Sequence, residues 1–278
     1  MTPTDFRRPS ARNAAIAVAL IATFAAAGEA QRRGRTGGFG VQANATEAPR
    51  SFDGQFNFCR VAFRGYRGSS WAVDYPQADQ NVMTRLAELT KTTISRTPGG
   101  QPNHVIVRLT DPELFDCPLV MMTEPGNLYL DETEVAQLKA YTAKGGLLWA
   151  DDFWGTNEWY GFEQEIRKVF PAGSYRIEDL PLTHQIFHQV FEVRKVPQIP
   201  SINAWYGTRS TSERGSDSAV PHVRAIMNDR ERIMVLITHN TDFGDSWERE
   251  SEDPNYFREF SVDGYAFGIN VLVYAMTH

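Results

Sequence analysis

The sequence predicts an α/β domain with a mostly parallel sheet covered by helices, and three observations carry that prediction. Short apolar runs alternate with stretches whose apolar residues recur at helical spacing, which is the order of successive βα units. Gly145-Gly146 stands between one such helical stretch and the apolar run Leu147-Leu148-Trp149-Ala150, so a helix can end there and the chain reverse into a strand. That run ends in two adjacent carboxylates, Asp151-Asp152, and the aromatic turn Phe153-Trp154-Gly155. Open α/β sheets bind ligands outside the carboxyl ends of their strands, so the acids stand where chemistry is expected.

Length and composition set the frame. A chain of 278 residues, 42% apolar and 22% charged, fills one full core and is ordinary for a globular protein. Residues 1–30 read as a secretory signal: Arg7, Arg8 and Arg12 precede the apolar stretch Ala14 to Ala27, and small residues follow. The stretch is shorter than the roughly 20 residues that span a bilayer, so no stable membrane span is expected after cleavage. The mature protein is then exported, with the periplasm as the expected compartment. Residues 31–50 are rich in glycine and arginine without a hydrophobic period, and read as a flexible leader. The folded domain is expected over 51–278. The whole chain carries a formal net charge of -6, more negative still without the signal, which makes nucleic acid a poor partner. Cys59 and Cys117 are compatible with one disulfide or with two buried thiols; the apolar runs around them favour thiols.

Each element follows from local pattern. Phe56 to Phe63 reads as the first strand, and Asp79 to Thr90 as a helix with Val82, Leu86 and Leu89 on one face. Short strands are expected at Thr92 to Ser95, Val105 to Leu109 and Leu119 to Met122, with a turn or short helix opened by Asp111-Pro112. Acids from Asp131 to Glu134 start a helix that continues through Val135, Leu138 and Tyr141 to Lys144. A helix from Trp159 to Phe170 follows the aromatic turn. The proline-rich middle yields only strands near Val190 to Val193 and Arg224 to Met227. Arg232 to Thr238 is the clearest late strand, and Tyr265 to Met276 a last helix with Phe267, Val271, Leu272 and Tyr274 facing the core.

Three motifs carry a resemblance: Trp71-Ala72-Val73-Asp74-Tyr75-Pro76 with Asp79, the Gly145 to Gly155 segment, and Thr238-His239-Asn240-Thr241-Asp242 with Gly244, Asp245, Trp247 and Glu248. They resemble the bacterial family called domain of unknown function 4159 over about Phe56 to His278. That family looks like a branch of the class I glutamine amidotransferase-like fold, a flavodoxin-like three-layer sandwich. It is more distantly similar to the trehalose-utilisation (ThuA-like) proteins, through the Gly-Gly unit, the His184-x-Ile186-Phe187 loop and the late strand. The resemblance implies envelope protein partners, since family members tend to be encoded near ATPase and von Willebrand-type proteins. Glutaminase activity needs an activated cysteine at a sharp strand-to-helix turn. Neither Cys59 nor Cys117 sits in such a turn, so a cysteine-dependent amidotransferase is not expected.

The candidate site rests on two polar clusters. Asp151, Asp152 and His239, each at the tip of a strand, are the candidate catalytic residues; in an extended strand the two aspartates point to opposite sides, so at most one is expected to face a given cleft, and either can equally cap the next helix. Trp154, Asp242, Asp245, Trp247 and Glu248 are the candidate ligand-binding residues. Oxygen-rich ligands beside a histidine suit a divalent cation, while Arg249 and Arg258 can instead neutralise the acids as salt bridges. His184 and His188 read as structural, and Glu163 as a partner of Arg167. The aromatic rings Trp154, Trp159, Trp205, Tyr206 and Trp247 suit a sugar ligand, or lid packing. The expected function is binding of a small-molecule or carbohydrate ligand in a polar cleft, with metal-assisted hydrolysis of a carbohydrate or envelope compound if the protein is an enzyme. The alternative is a non-catalytic interaction module of an envelope assembly.

Overall fold

A computed structural model describes residues 52–278. The expected signal over 1–30 and the leader over 31–50 lie outside the described residues. A seven-stranded sheet organises the domain, in the order β3-β1-β4-β6-β9-β8-β7. Its strands are β1 Phe58–Val61, β3 His104–Val107, β4 Leu119–Thr123, β6 Leu147–Asp151, β7 Glu178–Asp179, β8 His222–Met227 and β9 Ile233–His239. Pairs from β3 to β9 are parallel, whereas β8 runs antiparallel to β9 and β7 antiparallel to β8. A separate ribbon pairs β2, Arg64–Gly65, with β5, Leu128–Tyr129.

Period-two alternation in the strands sends side chains to two apolar layers. In β6, Leu147 and Trp149 join one cluster, which includes Val82 and Leu86 of helix α1, Gln77–Leu89. Leu148 and Ala150 join the other, with Leu138 of α2, Glu132–Ala143, and Phe162 and Ile166 of α3, Gly155–Val169. The result is a three-layer α/β sandwich. The last helix, α6, Val262–Thr277, buries Phe267, Val271, Leu272 and Tyr274 in the first cluster, as its pattern predicts. Leu89 departs from expectation and is 49% exposed, because it stands in the last turn of α1.

Local signals account for the join before β6. Asp131 and Glu134 form a reciprocal capping box at the start of α2, satisfying two orphan N–H groups. At the far end Gly145 takes φ 110°, and a Cβ on Gly146 would lie 2.2 Å from the Tyr141 ring. Both glycines are therefore required for the tight return into β6.

Several expectations are corrected. Val190 to Val193 is not a strand; its backbone is held by the side chain of Asn270, whose Oδ1 accepts from Val190 N at 2.8 Å and Phe191 N at 2.9 Å. Thr92 to Ser95 contributes only an isolated bridge between Ile94 and Phe56. Helix α3 begins at Gly155, four residues before the expected start. Two short helices were not legible, α4, Ile202–Thr208, and α5, Phe243–Glu248. The cysteines are not thiols: Cys59 of β1 is bonded to Cys117, just before β4. Arg167 does pair with Glu163, at 3.3 Å. Among the described residues no helix is long and apolar enough to cross a membrane.

Candidate functional site

Three parallel strands end in the same unusual way. The residues that follow β4 and β6 at once are Glu124, φ 51°, and Asp152, φ 58°, and the residue after β9 is Asn240, φ 63°. Asp74, in the loop that leads to α1, has φ 62°. Left-handed backbone is uncommon outside glycine and costs of order 1–3 kcal/mol where the surroundings impose it. Here the tips are sewn together: Glu124 N donates to Asp151 O at 3.0 Å, Asn240 N to Phe153 O at 3.0 Å, and Gly155 N to Asn240 Oδ1 at 2.8 Å. Each chain reversal lays a polar side chain at the C-terminal edge of the sheet.

Asp74, Asp152 and Asp242 meet there. One carboxylate oxygen from each lies within 4.8 Å of the others, and all three residues are buried. Asp152 Oδ1 accepts from Trp154 Nε1 at 3.0 Å, and Asp242 Oδ1 from Asp245 N at 2.7 Å, capping α5. Asp74 Oδ2 is buried and receives no N–H or O–H hydrogen bond from a described residue. Burial, then neighbouring acids, hold the carboxyls of Asp74, Asp152 and Asp242 well above the usual carboxylate range. Two carboxylates about 4 Å apart repel by about 4 kcal/mol at an effective dielectric of about 20. Three together cannot all be ionised unless a cation offsets the charge; without one, at least one holds a proton.

A second trio, Asp74, Asp245 and Glu248, shares Asp74 but has its own counter-charge. Arg249 Nε lies 3.3 Å from Asp245 Oδ1 and 2.7 Å from Glu248 Oε2, and its Nη1 is 2.6 Å from Glu252. Asp245 Oδ2 also accepts from Ile202 N, at the start of α4. Asp245 and Glu248 are thus largely committed to structure, while the first trio has no arginine or lysine paired to it among the described residues.

The sequence-predicted residues separate on this map. Asp152 and Asp242 are brought together. Asp151 is not, because strand alternation turns it toward the Trp149 side of the sheet. Its Oδ1 accepts from Thr238 Oγ1 at 2.5 Å and its Oδ2 from Phe243 N at 2.9 Å and Gly244 N at 3.3 Å, so it caps α5. Burial pushes its carboxyl up to about 7. His239 points to the opposite face. Its Nε2 is 3.1 Å from Gly155 O, and its ring packs against Phe153, Trp159 and His222. Burial and Arg224, whose Nη1 is 3.4 Å from Nδ1, pull it down to about 4, a neutral structural ring. Of the expected cleft residues Asp151, Asp152, His239 and Asp242, only Asp152 and Asp242 come together; the two-residue period of β6 and β9 turns Asp151 and His239 elsewhere. Trp247 is fully buried in the core against Trp149, and serves packing.

A cleft of about 710 Å³ opens beside the trio, with Asp152, Trp154, Glu124 and Arg67 in its walls. Glu124 has its carboxyl raised by burial, partly offset by a hydrogen bond from Ser70. Behind the trio, Arg60 of β1 donates to Asp79, to Trp71 O and Val73 O, and to Thr123 Oγ1 at 2.7 Å, so it fixes the loop that delivers Asp74. Gly244 leaves room for that delivery, since a Cβ there would stand 2.4 Å from Asp74 Oδ2. Asp74, Glu124 and Arg60 were missed as site residues. Asp74 did lie inside the first resemblance motif, and an arginine within the apolar run Phe56 to Phe63 signals a buried ion pair.

A family model described as Domain of unknown function (DUF4159) matches residues 58–276. No curated protein matches the chain.

Proposed function

The chain belongs to the DUF4159 family, and we propose that its site binds a divalent cation on Asp74, Asp152 and Asp242 and presents it to a polar ligand in the adjoining cleft. One observation carries this reading: Asp74, which has a buried carboxylate oxygen without a donor, lies in a buried cluster with two further acids. All-oxygen donors of this kind suit hard cations such as Mg²⁺ or Mn²⁺. Such an ion polarises a bound carbonyl or phosphoryl oxygen and makes a coordinated water more acidic. Glu124, at the neighbouring tip, is placed to take up or return a proton at the ligand. Hydrolysis of a carbohydrate or envelope compound is the reaction class that this combination serves.

The compartment and the wider fold relationship belong to the same reading. A disulfide between Cys59 and Cys117 supports an exported, periplasmic protein, since such bonds persist in oxidising compartments. With both thiols joined, no cysteine nucleophile remains for amidotransferase chemistry. The order β3-β1-β4-β6-β9 matches the flavodoxin-like order and supports the amidotransferase-like and ThuA-like relationship. A second reading, a non-catalytic module docking envelope proteins, is favoured by the pairing of Asp245, Glu248 and Glu252 with Arg249.

Calorimetric titration of chelator-treated protein with Mn²⁺ decides between them. Saturable binding that Asp74→Asn weakens at least about tenfold supports the cation site. Equal affinity in the variant, or none in the wild type, removes it in favour of the docking module.

A further inference from the structure

We infer that the ligand of this cleft carries an oxyanionic group, a phosphate or a carboxylate, which Arg67 and the cation hold between them; the inference rests on the cation reading above. The charges in the cleft walls decide the ligand's sign. Glu158 Oε2 accepts from Trp154 N at 2.6 Å, and its other oxygen lies 3.2 Å from Arg214. Glu213 accepts from Ser201 N at 2.7 Å and also pairs with Arg214. Arg214 is thus engaged by two carboxylates. Glu124 is hydrogen-bonded by Ser70, and Asp152 belongs to the proposed cation trio. The remaining cationic side chain is Arg67, which is exposed, lines the cleft and is paired with no described residue. Its position is set by the ribbon, for it follows β2 closely, and Tyr66 N donates to Asn127 O at 3.0 Å.

The other source of positive potential at the cleft, a helix start, has its first two N–H groups already engaged. Helix α3 begins at the cleft wall, but Gly155 N is taken by Asn240 Oδ1 and Thr156 N by Asp217 Oδ2 at 2.9 Å. An anion therefore finds the guanidinium rather than the helix start. A guanidinium presents a planar fork of donors that matches either phosphate or carboxylate, and a cation across the cleft binds the same group's free oxygen. A cleft of about 710 Å³ leaves room for a small molecule beyond the anionic group.

The test uses the full folded chain, Mn²⁺, inorganic phosphate and acetate. Mn²⁺ is titrated first into wild type and Arg67→Gln, then each anion is titrated in the presence and absence of Mn²⁺. The expected result is equal Mn²⁺ affinity in both proteins, anion binding by wild type only with Mn²⁺ present, and at least a tenfold loss in Arg67→Gln; which anion binds assigns the group. Normal Mn²⁺ binding with no anion binding, or with Arg67→Gln binding the anion as well as wild type, overturns the inference and leaves the cation site standing. Absence of Mn²⁺ binding in the wild type overturns both.

Discussion

Arg60 and Asp79 form an ion pair at 2.5 Å in which neither side chain has any solvent exposure. Breaking one half leaves an uncompensated buried charge, which costs about 3–5 kcal/mol, while replacing both with apolar groups is often close to neutral. Arg60→Met is accordingly expected to destabilise the domain by about that amount, and Arg60→Met with Asp79→Leu to regain most of it. Urea unfolding of the two variants checks this, and additive losses would contradict it.

Asp151 serves the start of α5 and not the cleft. Asp151→Asn should lower stability by about 1–3 kcal/mol, through weakened bonds to Phe243 N and Gly244 N. Its Mn²⁺ affinity should stay within a factor of about three of wild type, a small change in free energy. A tenfold loss of Mn²⁺ affinity in the folded variant would return Asp151 to the site.

Gly244→Ala places a methyl group against Asp74 Oδ2. Displacing that oxygen should weaken Mn²⁺ binding by about tenfold or more. Titration of the variant, after circular dichroism has shown it folded, gives the answer; unchanged affinity means that Asp74 does not bind the ion through this geometry.

His239 gives a pH dependence of known sign. Buried among Phe153 and Trp159, and facing Arg224, His222 and Asp217, it is held near 4 in the fold against an ordinary 6.5. The unfolded chain therefore binds the extra proton, and stability rises with pH across that window. As pH falls from about 6.5 to about 4, the histidine should account for a loss of up to about 3 kcal/mol. The difference in unfolding free energy between wild type and His239→Gln, measured at several pH values, isolates this share. Parallel curves would show that His239 is not held neutral.

The Cys59–Cys117 bond closes a loop of 58 residues in sequence. Chain-entropy arguments give such a crosslink about 4 kcal/mol. The Cys59→Ala, Cys117→Ala double variant should lose roughly that much in urea unfolding, and a loss below 1 kcal/mol would show that the loop is already ordered without it.

Much of the fold was legible because its signals are local. The acids before α2, the glycine pair before β6 and the apolar run of β9 each act within a few residues. Helix α5 has no such signal: its six residues are helical because Asp242 caps it from the chain and Asp151 from a neighbouring strand. The site divided the same way. Asp152 was visible at the tip of an apolar run. Asp74 sits in an aromatic loop with no periodic pattern, and only the fold brings it to Asp242. That Asp151 and Asp152 face opposite ways follows from the two-residue strand period, but which of them meets the cleft, and the face His239 takes, depended on where each strand ends, which shifts with a single residue of boundary.

Where an open sheet reverses its strand order, a natural entrance is left between the two diverging strands. In this protein that reversal falls at β1, and Arg60 reaches from β1 to Thr123 of β4 and up to the loop above, like a bolt drawn across a door. The cleft described above opens one strand further along, beside the tips of β4 and β6. Removing Arg60 would therefore loosen two neighbouring strand tips and the Asp74 loop at once, because one guanidinium ties all three.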